Sequence, residues 1–166
     1  MNEKRSAWLE QAIASHEPAL FRLCFAYLGD AALAEDAVQE TFVKAYKGYD
    51  RYCRESEEKT WLTRIAINTC KDIRKSAWFR HVDRSTALES LPEEMMPFTE
   101  RDDTLIRAVM GLKPRLREVV LLHDGQGLTA EETANALGIA RSTMYKRLTK
   151  AHQLLRKELE AWYHDR

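Results

Sequence analysis

The sequence predicts an all-α protein: two small helical domains, residues 1–84 and 104–166, joined by an acidic linker at 85–103. Three observations carry that expectation. Glycine and proline are scarce, six and four among 166 residues, and β-branched residues seldom cluster, so helix is the favoured local state. Apolar residues recur at i, i+3 and i+4 in both halves. Charge changes sign along a chain whose net formal charge is zero: residues 1–46 carry −3, 47–84 carry +4, 85–104 carry −5 and 105–166 carry +4. The most acidic block holds "STALESLPEEMMPFTERDD" (85–103), with two prolines and weak periodicity, the composition of a linker.

In the first half, "AWLEQAIASHEPALFRLCFAYL" (7–28) has helical spacing, and Pro18 predicts a break or a new helix start. "LGD" follows as a turn, with Asp30 as the N-cap of the next helix. That helix, "AALAEDAVQETFVKAYKGY", is the clearest amphipathic one. Ala34, Ala37, Val38, Thr41, Phe42, Ala45 and Tyr46 form its core face, leaving Asp36, Gln39, Glu40, Val43 and Lys44 outward. Composition alone makes such an outer face a solvated one. After the charged loop "DRYCRESEEK", the segment "TWLTRIAINTCKDIRKSAW" places Trp61, Leu62, Ile65, Ala66, Thr69 and Ile73 on one stripe. Arg64, Asn68, Lys71, Arg74 and Lys75 lie towards its other side. Cations interleaved with an aromatic ring and an amide suit single-stranded or melted DNA, because cations hold the backbone while flat groups meet bases. Trp61 on its own reads better as a core residue at the helix start.

The second half reads as four helices. Leu105, Val109 and Leu112 face the core, and Pro114 opens a helix where its missing N–H costs little. Val119, Val120, Leu121 and Leu122 continue that helix to the Gly-rich stop "HDGQG". "TAEE" forms a capping box from Thr129 and Glu132. Ala134 and Leu137 supply the apolar face of the third helix, "LGI" makes a tight turn, and the last helix turns Met144, Leu148, Ala151 and Leu155 inward. Residues 141–157 hold six Lys or Arg and no carboxylate, a footprint suited to phosphate. Two helices joined by a tight Gly turn, the second basic, match the helix-turn-helix pattern. Arg141, Ser142, Thr143, Tyr145 and Lys146 would point to base edges, with Arg147, Lys150 and Lys157 placed to hold phosphates.

Other classes find little support. Cys24, Cys53 and Cys70 are far apart and lack the paired spacing of a zinc site, so they read as free thiols in a reducing compartment. No Ser/His/Asp grouping or Gly-rich phosphate loop is present, so neither an enzyme nor a cofactor is expected. Apolar runs fall far short of the roughly 20 residues that span a bilayer. The N-terminus lacks a signal-peptide core, so a cytoplasmic protein without membrane insertion is expected.

Taken in order, "AEDAVQETFVKAY", "TWLTRIAINTCKDIRK", "LKPRLREVVLL" and "GLTAEETANALGIARSTMYKRLTKAHQLLR" resemble the bacterial sigma-70 family, in its small extracytoplasmic-function type. The resemblance covers nearly the whole chain. It implies a −10-reading domain and a −35-reading domain, and a protein that binds core RNA polymerase, directs it to promoters and is released after initiation. Asp36, Gln39 and Glu40 fall on the family's D-x-x-Q-E motif for the β′ clamp helices, with Val43 adding apolar contact. Asn68 and the 52–60 loop fall on the −10 base-reading segment, supported by Thr60, Trp61, Arg64 and Lys71. Arg141 to Arg147 fall on the −35 recognition helix, and the second domain is expected on the β flap. The resemblance also implies that the linker threads the RNA-exit path and that a membrane-anchored anti-sigma factor is a partner.

The chain departs from the family's usual residues in five places. It has Ala140 for Ser or Pro, Ser142 for Gly, Met144 for Val, Tyr145 for Lys or Arg, and Thr133 for Ile. The −35 sequence therefore does not carry over from relatives. The competing reading is an autonomous helix-turn-helix regulator with a helical sensor domain. It would need a dimer interface and a palindromic site, and it leaves the outward face of Asp36 and Gln39 unexplained.

Overall fold

The computed structural model describes residues 3–52, 56–76 and 100–164. Every regular element among them is helical. The chain divides into two compact units, Met1–Thr86 and Ala87–Arg166.

In the first unit α1 (Glu3–Leu28), α2 (Ala31–Lys47) and α3 (Glu58–Lys75) each pack against the other two. Leu20, Leu23, Phe25 and Tyr27 of α1 meet a core built with Ala34 and Phe42 of α2 and Leu62 and Ile67 of α3, all buried. The expected break at Pro18 does not occur, and α1 runs straight through it. An interior proline costs about 3 kcal/mol. Pro18 and Ala14, whose carbonyl loses its donor, are both exposed, so water can satisfy that oxygen. Each large side chain buried between Leu20 and Leu28 contributes about 1.5–3 kcal/mol, which outweighs the local cost.

The turn between α1 and α2 follows its local chemistry. Gly29 takes φ 73°, and the Leu33 N–H donates to Asp30 Oδ1 at 2.9 Å. Ala34, Ala37, Val38, Thr41, Phe42 and Ala45 are buried as expected, while Tyr46 is half-buried. A short 3-10 turn, Tyr49–Arg51, leads away from α2. The core face of α3 is rotated from the expected stripe. Thr63, Ile67 and Cys70 are buried beside Leu62, Ala66 and Thr69, whereas Trp61, Ile65 and Ile73 are only half-buried. A helix wedged against two neighbours buries a wider arc than the one-sided stripe read from periodicity. Arg74, expected on the outer side, donates from Nε to the buried Tyr27 hydroxyl at 3.0 Å.

The second unit holds α4 (Glu100–Met110), α5 (Pro114–Val120), α6 (Ala130–Leu137) and α7 (Arg141–His164). Helix begins at Glu100, so residues 100–103, expected in the linker, are helical. The rest of that segment, 85–99, lies outside the described residues. Val109 and Leu112 are buried, but Leu105 is 40% exposed and Ile106 takes the core position. The one-residue shift follows from α7, against which α4 packs. Pro114 stands at the helix start, and α5 widens into a π turn at Leu121–Gly125. The capping box is closed: the Glu132 N–H donates to Thr129 Oγ1 at 3.1 Å, and the Thr129 N–H donates to Glu132 Oε1 at 3.0 Å.

Gly138 ends α6 in the left-handed region at φ 65°, where a side chain would strain the backbone. The Ile139 N–H then donates to the Ala134 carbonyl at 3.0 Å. This turns the chain into α7, whose Met144, Leu148, Ala151 and Leu155 are buried. Ala140 precedes α7 and has no side-chain oxygen to cap it.

Candidate nucleic-acid and partner interfaces

Three exposed surfaces follow from this packing. The first is the outer face of α2. With its core side buried, Asp36, Gln39, Glu40 and Val43 are all turned to solvent, Val43 at 50% exposure. Lys44, expected outward with them, instead reaches back: its Nζ donates to Thr69 Oγ1 of α3 at 3.0 Å and lies 3.3 Å from Glu40 Oε1. Beside this face an apolar groove of about 570 Å³ runs between α1 and α2, lined mainly by Leu9, Ile13, Val38, Phe42, Val43 and Tyr46. Gln39 stands at its edge. An exposed valine between a carboxylate and an amide, continuous with an apolar groove, is a surface suited to a protein partner.

The second surface is carried by α3. Arg64 and Asn68 are exposed, and Thr60, Trp61 and Lys71 are half-exposed. An open hollow of about 380 Å³ is formed by Lys44, Gly48, Arg51, Trp61, Ile65 and Asn68. Trp61 is stacked on Tyr52, their ring centroids 4.4 Å apart and their planes 13° from parallel. A flat ring, an amide and two cations around one hollow can hold an unstacked base and its phosphate. Sequence periodicity missed Lys44 and Arg51 here, because α2 and the following turn meet α3 only in space. Cys53, Arg54 and Glu55, within the expected 52–60 loop, lie outside the described residues.

The third surface is the start of α7. Arg141, Ser142, Tyr145, Lys146 and Lys150 are exposed and Thr143 is half-buried, with Tyr145 at 48% exposure. Arg147 differs from the rest. It is half-buried, with Nη1 3.9 Å from Oε1 of Glu118, itself buried on α5. This tie fixes Arg147 from inside the unit, whereas Lys150 stands clear on the surface.

Among the described residues no cluster of His, Cys, Asp and Glu could hold a metal. Among them, too, no helix is long and apolar enough to cross a membrane. Cys24 and Cys70 are buried free thiols. A hydrogen bond to Cys24, then burial, then the charge of Cys24 push the Cys70 thiol well above its ordinary range, against a smaller opposite pull from Lys44. Raised and buried, that thiol is a poor nucleophile.

The family model for sigma-70 region 2 matches residues 12–80, and the one for sigma-70 region 4 matches residues 102–155. The extracytoplasmic-function sigma factor SigL of Mycobacterium tuberculosis is 34% identical over 150 residues, covering 87% of this chain and 85% of that protein. The RNA polymerase sigma-E factor of Streptomyces avermitilis is 29% identical over 161 residues, covering 92% and 85%. Among solved structures, the sigma factor RpoE of Bartonella quintana, in complex with the anti-sigma factor NepR, aligns with a TM-score of 0.76 at 24% identity, over 91% of this chain and 96% of that one. CnrH, in complex with the cytosolic domain of CnrY, aligns with a TM-score of 0.69 at 23% identity, over 92% and 88%.

Proposed function

Because this chain belongs to the bacterial sigma-70 family, as a sigma factor of the extracytoplasmic-function type, we propose a division of labour among its three exposed surfaces. The outer face of α2, with Asp36, Gln39, Glu40 and Val43, docks on the β′ clamp helices of core RNA polymerase. Thr60, Trp61, Arg64, Asn68 and Lys71 hold the melted −10 strand. Arg141, Ser142, Thr143, Tyr145 and Lys146 meet base edges of the −35 element in the major groove, with Arg147 and Lys150 on phosphates. The first domain, 1–84, thus carries polymerase docking and the −10 strand, and the second, 104–166, carries the −35 element. The linker at 85–103 joins them along the RNA-exit path, and the second domain also rests on the β flap. The chain has no catalysis of its own and works in the cytoplasm, where polymerase is.

The observation that carries this reading is the pairing of an acidic-amide-apolar partner face on α2 with two exposed cationic faces, on α3 and α7, in one chain. The competing reading of an autonomous regulator leaves the first of these unexplained. Control by an anti-sigma factor is supported by the similar fold of the sigma factor RpoE, which was captured with the anti-sigma factor NepR. Membrane anchoring of that factor rests on the family resemblance alone.

The test is run-off transcription from a promoter library with purified bacterial core polymerase, with and without this chain. Transcripts that depend on the chain and share a −35/−10 pair are the expected result. Binding to duplex DNA by the chain alone, with no dependent transcript, would overturn it in favour of an autonomous regulator.

A further inference from the structure

The first turns of α1 reach across to the strand-reading hollow. Trp8, half-buried, packs its ring 4.9 Å from that of Tyr49 and 6.0 Å from that of Trp61, tilted to both by 46° and 47°. Its Nε1 donates to Glu58 in the first turn of α3, and His16 Nε2 bonds the other oxygen of that carboxylate at 3.1 Å. One turn earlier, the Arg5 guanidinium lies 5.2 Å from the Tyr46 ring and 5.7 Å from the Tyr49 ring, and it is paired with Asp50. Tyr52 closes the series by stacking on Trp61 and donating its hydroxyl to the Ser56 carbonyl. A continuous run of rings therefore joins α1 to the Tyr49–Arg51 turn and to the Trp61 wall of the hollow.

We propose that Arg5 and Trp8 are positioning residues for single-strand capture, holding the Tyr49–Arg51 turn and the Trp61 ring in place before DNA arrives. Neither lines the hollow. Their contacts fall on its walls: Trp8 on Trp61 directly, and both residues on the turn that carries Arg51. A flat ring binds an unstacked base well only if it need not be ordered at that moment, so a pre-set Trp61 lowers the entropic cost of capture. Trp8 packs against Trp61 at a tilt and Tyr52 stacks on it, so two neighbouring rings hold the Trp61 ring in place. The inference rests on the proposed role of Trp61 and Asn68 in holding the melted strand.

The experiment uses holoenzyme assembled from the full chain and core polymerase. The probe is the labelled single-stranded −10 oligonucleotide of a promoter that the chain transcribes. An aromatic contact of this kind is worth about two- to tenfold in an equilibrium constant, which bounds what its loss can cost. Trp8→Ala should therefore bind the oligonucleotide about two- to tenfold more weakly while its affinity for core polymerase stays unchanged. Trp8→Phe, which keeps a ring against Trp61, should recover most of the loss. Introducing Trp8→Ala into a Trp61→Ala background should add little, because the first acts through the second.

Oligonucleotide binding unchanged in Trp8→Ala but lost in Trp61→Ala would overturn the positioning role and leave the strand-reading role standing. Binding unchanged in both would overturn strand reading at Trp61, and the positioning role with it. Arg5→Gln leaves every ring in place and serves where Trp8→Ala does not fold. A drop in oligonucleotide affinity with core affinity retained is expected there too, and no drop would overturn the proposal.

Discussion

Thr133 and Thr63 bury their hydroxyls without a hydrogen-bond partner among the described residues. A buried polar group left unpaired costs about 1–3 kcal/mol. Thr133→Val, of the same shape without the hydroxyl, should raise stability by about 1 kcal/mol, read as a higher urea midpoint with an unchanged slope. The second residue-scale prediction concerns Cys70. Its folded-state pKa is raised, so the unfolded chain gives up the thiol proton first. The stability this contributes is complete below the ordinary thiol value of 9.0 and drains away as pH climbs from there toward the folded value. Cys70→Ala should flatten the alkaline fall in unfolding free energy relative to the parent chain, as urea unfolding at stepped pH would show.

At the scale of elements, α2 and α7 each bury one face and leave the face proposed for recognition exposed. On α2 the buried line holds the bundle while Asp36 and Gln39 are exposed on the opposite side. Replacing both with Ala should abolish binding to core polymerase and leave helicity and unfolding midpoint unchanged; undiminished affinity would remove the docking role from this face. On α7 the distinction lies among the cations. Lys150 is exposed and free to meet a phosphate, so Lys150→Ala should weaken holoenzyme binding alike on all −35 sequences. It should also reduce the salt slope of that binding by about one. A change in sequence preference instead would make Lys150 a base reader.

For the chain as a whole, net charge is the governing quantity. Each cationic block is balanced by an acidic one, leaving zero overall, so long-range attraction to DNA is weak. The chain alone should give no mobility shift with promoter duplex at physiological salt, whereas the same duplex should shift once core polymerase is added. On the proposed division of labour, polymerase supplies the affinity and the exposed faces of α3 and α7 the choice of site. A shift by the free chain would point to the autonomous regulator.

What the sequence determined by itself was whatever depends on residues within a few positions of one another. The Asp30 cap, the Thr129–Glu132 capping box, the Gly138 stop, and the inward Met144–Leu148–Ala151–Leu155 line were all legible for that reason. So were the outward positions of Asp36, Gln39, Asn68 and Lys146, since amphipathic spacing sorts faces before any partner helix is known. Tertiary structure alone decided that Pro18 would sit inside an unbroken helix and that Ile106 rather than Leu105 would be buried. It alone turned Ile67 and Cys70 to the core of α3 and brought Arg5 and Trp8 against Tyr49 and Trp61 beside the hollow on α3. These outcomes rest on contacts such as Trp8 with Glu58, 50 positions apart. Packing between distant segments contributes several kcal/mol, enough to override both the roughly 3 kcal/mol cost of an interior proline and the fractions of a kcal/mol by which local propensity prefers one register over the next.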